Sequence, residues 1–328
     1  MLKIQKYKLS RRIVLLAGAL TLALPQLAAA QSWPTKPIKL VIPFAAGGTT
    51  DILGRLLAQQ LTKDLGQNVI VENKGGAGGN IAAEFVAQSP ADGYTIMLAS
   101  GSMLTVNPNL YKKLPVNYSK DFVNITNVAS GPMLLSVSTK LPVKNLNEFI
   151  TYAKTKDLNF GSAGIGSQVH MAGENLIYSA NIPATHVPYK GESAAINDLV
   201  AGQIDFMVGN LTAAAGFAKT GQIKPIAVTS AKRVKQLPDT PTVAESGIPG
   251  FESTGWFGLV APASTPKAIT DKIYDATVKA VNSEAMKKSL ELNGLSPVVN
   301  SQKEFDAQIK VESANWEKVI KGRNISTQ

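Results

Sequence analysis

The sequence predicts an α/β fold of two lobes, each a mainly parallel sheet flanked by helices. Three observations carry this expectation. Strand-like and helix-like segments alternate along the chain. The strand-like segments are apolar with little polar alternation, as strands buried on both faces are. Two longer β-rich stretches lie far apart in the chain, as two extended crossings between lobes would.

The elements follow in order. Strands are expected at 38–44, 67–72 and 94–99, with helices near 50–64 and 79–88. Further on come a strand at 158–160, a helix near 167–179, a strand at 185–189 and a helix near 192–201. Strands at 204–208 and 223–229 follow. The first crossing is 123–137, interrupted at Ser130-Gly131-Pro132; the second is FGLVAP, 257–262. The tail from Pro266 to about Gly322 reads as mostly helical and is expected to return to the first lobe. Residues 31–129 with 256–328 are therefore assigned to one lobe and 130–255 to the other.

Composition narrows the function. With 45% hydrophobic and 17% charged residues over 328, the chain reads as globular. It has no cysteine, which excludes a disulfide framework, a thiolate nucleophile and a Cys-based metal site. Residues 1–30 read as a signal peptide. Lys3, Lys6, Lys8, Arg11 and Arg12 lead into an apolar run, 13–23, and LAAA offers a cleavage site after Ala30. The run falls short of the roughly 20 residues a membrane span requires. Ser10-Arg11-Arg12 faintly resembles a twin-arginine signal. No cysteine follows to take a lipid, and no later stretch is long and apolar enough to insert, so export in soluble form is expected.

The formal charge is +10, from 33 basic and 23 acidic residues. Removing the five leader cations leaves 28 against 23, or +5. Such a field favours small anions. There is no basic stripe interleaved with aromatics, so nucleic acid is not an expected partner.

FAAGGTTD, 44–51, joins the first strand to its helix, and FGSAGIGS, 160–167, does the same in the second lobe. Glycines let the backbone approach a ligand, and the free N–H groups of a helix start favour a carboxylate or phosphate. Candidate binding residues are Phe44, Ala45, Ala46, Gly47, Gly48, Thr49 and Thr50 on one side. On the other are Ser162, Ala163, Gly164, Gly166 and Ser167, the last a plausible N-cap. Asp51 is expected to serve the turn and helix dipole. Ser100, His170, Tyr189 and Asn210 are candidate cleft-wall residues; Lys190 reads equally as a solvated loop lysine. A third glycine cluster, GGAGGN at 75–80, reads either as a further contributor or as close helix packing. None of the three carries a Walker lysine or a dinucleotide fingerprint, and no His/Asp/Glu cluster has ligand spacing. No cofactor and no metal are therefore expected.

The ordered motifs WPxKPI (33–38), PFAAGGxxD (43–51), VENKxGAGGN (71–80), DGYT (92–95) and NPxLY (107–111) resemble those of the Bug (Bordetella uptake gene) proteins. So do GSAGxGSxxHxAGE (161–174), VPYKG (187–191), AVTS (227–230), LPDxPT (237–242) and WFGLxAP (256–262). The resemblance spans Trp33 to the C-terminal helices. It implies a type II periplasmic-binding-protein fold that closes on a solute, with a two-stranded hinge. It further implies a carboxylated ligand, whether di- or tricarboxylate, amino acid or aromatic acid. That ligand is held by backbone N–H groups of loops matching 44–51 and 161–167. The implied partners are the small and large membrane subunits of a tripartite tricarboxylate transporter, with the receptor a periplasmic monomer. Thr49 stands where many members have Pro, and Leu104 where many have His. Two alternatives stay open: a sensor working through a signalling partner, and a hydrolase using Ser167 and His170, whose i, i+3 spacing can place them on one helix face.

Overall fold

The computed structural model describes residues 33–327, so the expected signal peptide lies outside the described residues. From Lys36 onward the chain folds as one unit. Strand β1 (Ile38–Ile42) is the apolar run IKLVI, and it pairs in parallel with β2 (Val69–Asn73) and β3 (Thr95–Ser100). Helix α1 (Thr49–Leu65) buries Leu53, Leu57 and Leu61, one face at i, i+4, i+8, and stops at left-handed Gly66. A short 3₁₀ turn (Ala77–Gly79) opens α2 (Asn80–Ala87), and the short helices α3 (Gly101–Thr105) and α4 (Asn107–Leu110) follow β3.

Strand β4 (Phe122–Ser138) runs unbroken through Ser130-Gly131-Pro132, where the sequence predicts an interruption. Its first part, to Pro132, pairs antiparallel with β9 (Thr254–Pro262). From Met133 it pairs instead with β7 (Phe206–Asn210) and β8 (Ile223–Val228). The glycine and proline thus mark an exchange of partners. Gly131 also lets the turn at Gly294 and Leu295 approach closely, where a Cβ would lie 3.0 Å from the Gly294 carbonyl.

Beyond β4 come α5 (Leu146–Ala153), β5 (Asn159–Ser162), α6 (Gln168–Ala180), β6 (Thr185–Pro188), α7 (Glu192–Ala201) and, after β7, α8 (Leu211–Lys219). Strand β5 pairs in parallel with both β6 and β7. Among the described residues the ladder has ten strands along β2-β1-β3-β9-β4-β7-β5-β6, with β8 and the short β10 (Ser296–Pro297) both on β4. Its two halves share β4.

The second half packs on Phe149, Phe160 and Phe206, whose rings meet at 5.0 and 5.6 Å. The C-terminal helices α9 (Lys267–Asn282), α10 (Glu284–Leu292) and α11 (Gln302–Gly322) pack against elements of the first half. There α9 lies on α1, tied by Lys279 to Asp64 at 2.6 Å. Helix α11 lies on α3, and its Glu312 accepts from the Trp256 indole at 2.6 Å.

Candidate functional site

In sheets of this kind the carboxyl ends of parallel strands carry the ligand loops. Here the loop after β1, the end of β3, the loops after β5 and β6, and the end of β7 converge on one narrow cavity. It encloses about 10 Å³ of free volume as it stands and is lined by Phe44, Gly48, Thr49, Thr50, Ser100, Ala163, Ser167, Gln168, Val169, Glu192 and Asn210. Helices α1, α6, α7 and α8 all start at it, so several dipole ends point at one small volume. At α1 and α8 the N-cap residues Gly48 and Asn210 make no side-chain cap bond.

The structure divides the sequence-predicted residues. Phe44, Gly48, Thr49, Thr50, Ser100, Ala163, Ser167 and Asn210 line the cavity. Ala46 and Gly47 are exposed outside it; Gly47 N–H donates to Asp51 at 3.0 Å. Ala45 N–H reaches the Lys190 carbonyl at 3.3 Å, and Ser193 Oγ donates to the Ala46 carbonyl at 2.8 Å. Gly164 and Tyr189 line a separate open depression with Lys190, Ile165 and Tyr111. Burial and Asp198, which accepts from the phenol at 2.6 Å, push the Tyr189 hydroxyl up to about 12.

The second loop spends much of its polarity on itself. Gly164 N–H donates to Ser162 Oγ at 3.1 Å, Gly166 N–H to His170 Nδ1 at 3.2 Å, and Ser167 N–H to the Gly164 carbonyl at 3.0 Å. Ser167 Oγ caps α6 by accepting from His170 N–H at 3.2 Å. This serine and histidine therefore meet as a helix cap. The His170 ring stacks on His186, centroids 3.9 Å apart. His186 Nε2 lies 2.6 Å from Ser162 Oγ, but burial and the neighbouring His170 push the His186 imidazole down to about 3. At that value it is a poor base near neutral pH.

The third glycine cluster touches the other half of the molecule. Gly78 packs on the Ile165 carbonyl, which also accepts from Tyr111 Oη at 2.8 Å. Leu104, a departure from the family motifs, is 4% exposed in the core and does not line the cavity. Asp51 accepts from Gly47, from Arg55 Nε and from Asn73, each at 3.0 Å. Burial would raise its carboxyl, but these partners hold it below the ordinary range.

Gln168, Val169 and Glu192 line the cavity without being singled out in the sequence. Glu192 is 4% exposed. Its Oε1 accepts from Asn210 N–H at 2.5 Å and its Oε2 from Thr49 N–H at 3.3 Å, while Asn210 Nδ2 lies 3.1 Å from both oxygens. Burial pushes its carboxyl up, against the pull of these donors. A glutamate at the first position of a helix ordinarily reads as a dipole complement, which is why it gives no signal of its own.

Residues 53–325 match the family model for the tripartite tricarboxylate transporter family receptor, TctC. Protein BugT of Bordetella pertussis is 32% identical, covering 89% of this chain and 90% of its own. The solved periplasmic binding protein BugD is 34% identical with a TM-score of 0.87, covering 90% of this chain and all of its own. A Rhodopseudomonas palustris relative, Rpa4515, solved with adipate, is 36% identical with a TM-score of 0.86, covering 90% of this chain and 99% of its own. Two half-sheets that share β4, with strand ends gathered at one cavity, are thus the type II periplasmic-binding-protein fold, and the chain belongs to the TctC family of solute-binding receptors, within which lie the Bug proteins.

Proposed function

We propose that this protein captures a small carboxylate in the cavity between two lobes, divided near residues 130 and 255. It would deliver that solute, as a periplasmic monomer freed of its leader near Ala30, to the small and large membrane subunits of a tripartite tricarboxylate transporter. The observation that carries the reading is the convergence of helix starts on one cavity walled by apolar, hydroxyl and amide side chains and one buried carboxyl. Fixed amides need little reordering on binding, which favours an anion held without reaction. The neighbourhood of Ser167 and His170 is built as a cap, which favours a receptor over a hydrolase. A relative solved with adipate supports a carboxylate guest. Among the described residues no helix is long and apolar enough to cross a membrane. Closure follows from contacts made only when the lobes meet, a shift of population from open to closed. Calorimetric and thermal-shift titration against mono-, di- and tricarboxylates, amino acids, sugars and peptides tests the reading. Binding of a carboxylate is expected; binding of neutral sugars or peptides with no carboxylate would overturn it. Deleting the gene should abolish uptake of the bound solute.

A further inference from the structure

A cavity suited to a carboxylate holds a carboxylate of its own. Glu192 is the charged residue lining it, and no lysine or arginine does. The hydrogen-bond donors around Glu192 are neutral: the N–H groups of Thr49 and Asn210, the Asn210 side-chain amide and the Thr49 hydroxyl. Buried charges are stabilised by a countercharge as well as by hydrogen bonds. A guest with a cationic nitrogen would bring that countercharge.

A second observation concerns Gln168. A carboxylate only accepts, so Asn210 turns its NH₂ to Glu192 and its carbonyl to Gln168, whose Nε2 donates at 3.0 Å. This order of amides fixes Gln168 Oε1 as an acceptor, and that oxygen is buried with no donor. One cavity is therefore bordered by a buried amide oxygen without a donor, on Gln168, and by a buried carboxyl without a neighbouring cation, on Glu192.

We propose that Glu192 is a specificity residue, selecting a carboxylate that also carries a cationic or N–H-donating nitrogen, an amino-carboxylate zwitterion, and disfavouring di- and tricarboxylates. The inference rests on the carboxylate reading above. The helix-start N–H groups that Glu192 does not occupy take the guest's carboxylate, and Glu192 with Gln168 takes its nitrogen. A second carboxylate in place of the nitrogen would face Glu192 in a low-dielectric site without a lining cation, where like charges repel strongly.

The test titrates the purified protein and Glu192→Gln with one panel: the protein amino acids and 4-aminobutanoate; succinate, malate, adipate and citrate; butanoate and benzoate; and neutral sugars. In the wild type, an amino-carboxylate should bind more tightly than any di- or tricarboxylate. Glu192→Gln should weaken that probe by about 30-fold or more and strengthen the dicarboxylates, a change of rank that a purely structural role would not produce. Glu192→Asp keeps the charge and should keep the rank; with the wild-type ranking it decides the matter should Glu192→Gln not fold. Preference of the wild type for succinate, malate, adipate, citrate, butanoate or benzoate overturns the inference, as does equal weakening of every probe by Glu192→Gln. Binding of sugars alone, or silence across the panel, overturns the carboxylate reading itself and the inference with it.

Discussion

Gly191 offers a clean test of closure. Its φ of 169° is extended backbone open to any residue, so alanine brings no local strain there. The methyl group of Gly191→Ala would, however, stand 2.7 Å from Ala45 N and 2.8 Å from Ala45 Cβ, on the loop after β1 in the other half. Ordinary contact begins near 3.4 Å, so the two loops would have to part by about 0.7 Å. The neighbouring bonds from Ala45 N–H to the Lys190 carbonyl and from Ser193 to Ala46 would lengthen with them. Overpacking of this kind costs about 1–3 kcal/mol. If the halves close on the guest, that cost falls on the closed form alone. Affinity for the best-binding carboxylate should then drop by about 5- to 150-fold, while the melting temperature without ligand stays within about 2 °C of wild type. Isothermal titration with matched melting curves measures both. Unchanged affinity would refute the reasoning. So would a ligand-free melting temperature lowered as much as the bound one, because Gly191 and Ala45 would then touch in every state.

Tyr111→Phe removes the hydroxyl that donates to the Ile165 carbonyl at 2.8 Å and should weaken binding by about 2- to 10-fold through the closed form, with ligand-free melting unchanged. Asp51→Asn should cost about 1–3 kcal/mol at pH 7. The folded carboxyl is held below its unfolded value near 3.9, so the wild-type advantage is complete above about pH 4 and fades as pH falls through the folded value; urea titrations across acid pH read this directly. His186 behaves likewise on the acid side. Held down at about 3 against about 6.5 unfolded, it stays neutral in the fold while the unfolded chain takes up a proton, so stability should fall by up to about 1.4 kcal/mol per pH unit between those values. His186→Phe, which preserves the stack on Phe160, should flatten that slope. Thr49→Pro suits both the first helical position and the extended Gly48 before it, φ −82° and ψ 172°. By removing one donor to Glu192 it should lower affinity for a bound carboxylate by about 5-fold or more, with little loss of ligand-free stability.

Much of this architecture is legible in local chemistry. IKLVI declares a buried strand because four of its five residues are apolar and can face a core, and Gly66 ends α1 because the chain turns left-handed there. Where local chemistry and topology part, the sequence misleads. Gly131 and Pro132 look like a break, yet β4 continues because both residues pair with β9 and the partner changes one residue later. Helix α8 follows β7 with no intervening loop, and Asn210, read as a cleft-wall residue past the end of its strand, is at once the last strand residue and the helix cap.

The same limit governs the site. Loops that carry their own glycines announce themselves, whereas Glu192 acquires its meaning only from what the fold sets against it. Strand order brings the start of α7 beside the end of β7 and the start of α1, so that one carboxylate accepts from residues at both. Thr49 and Glu192 are 143 residues apart, and nothing in either neighbourhood refers to the other. Thr49 nevertheless stands where many proteins with these motifs have proline, and proline has no N–H to give. The departure thus supplies the donor that Glu192 Oε2 accepts. A residue that looks like a lapse from the motif is physically half of a pair, and the pair reaches from one half of the molecule to the other.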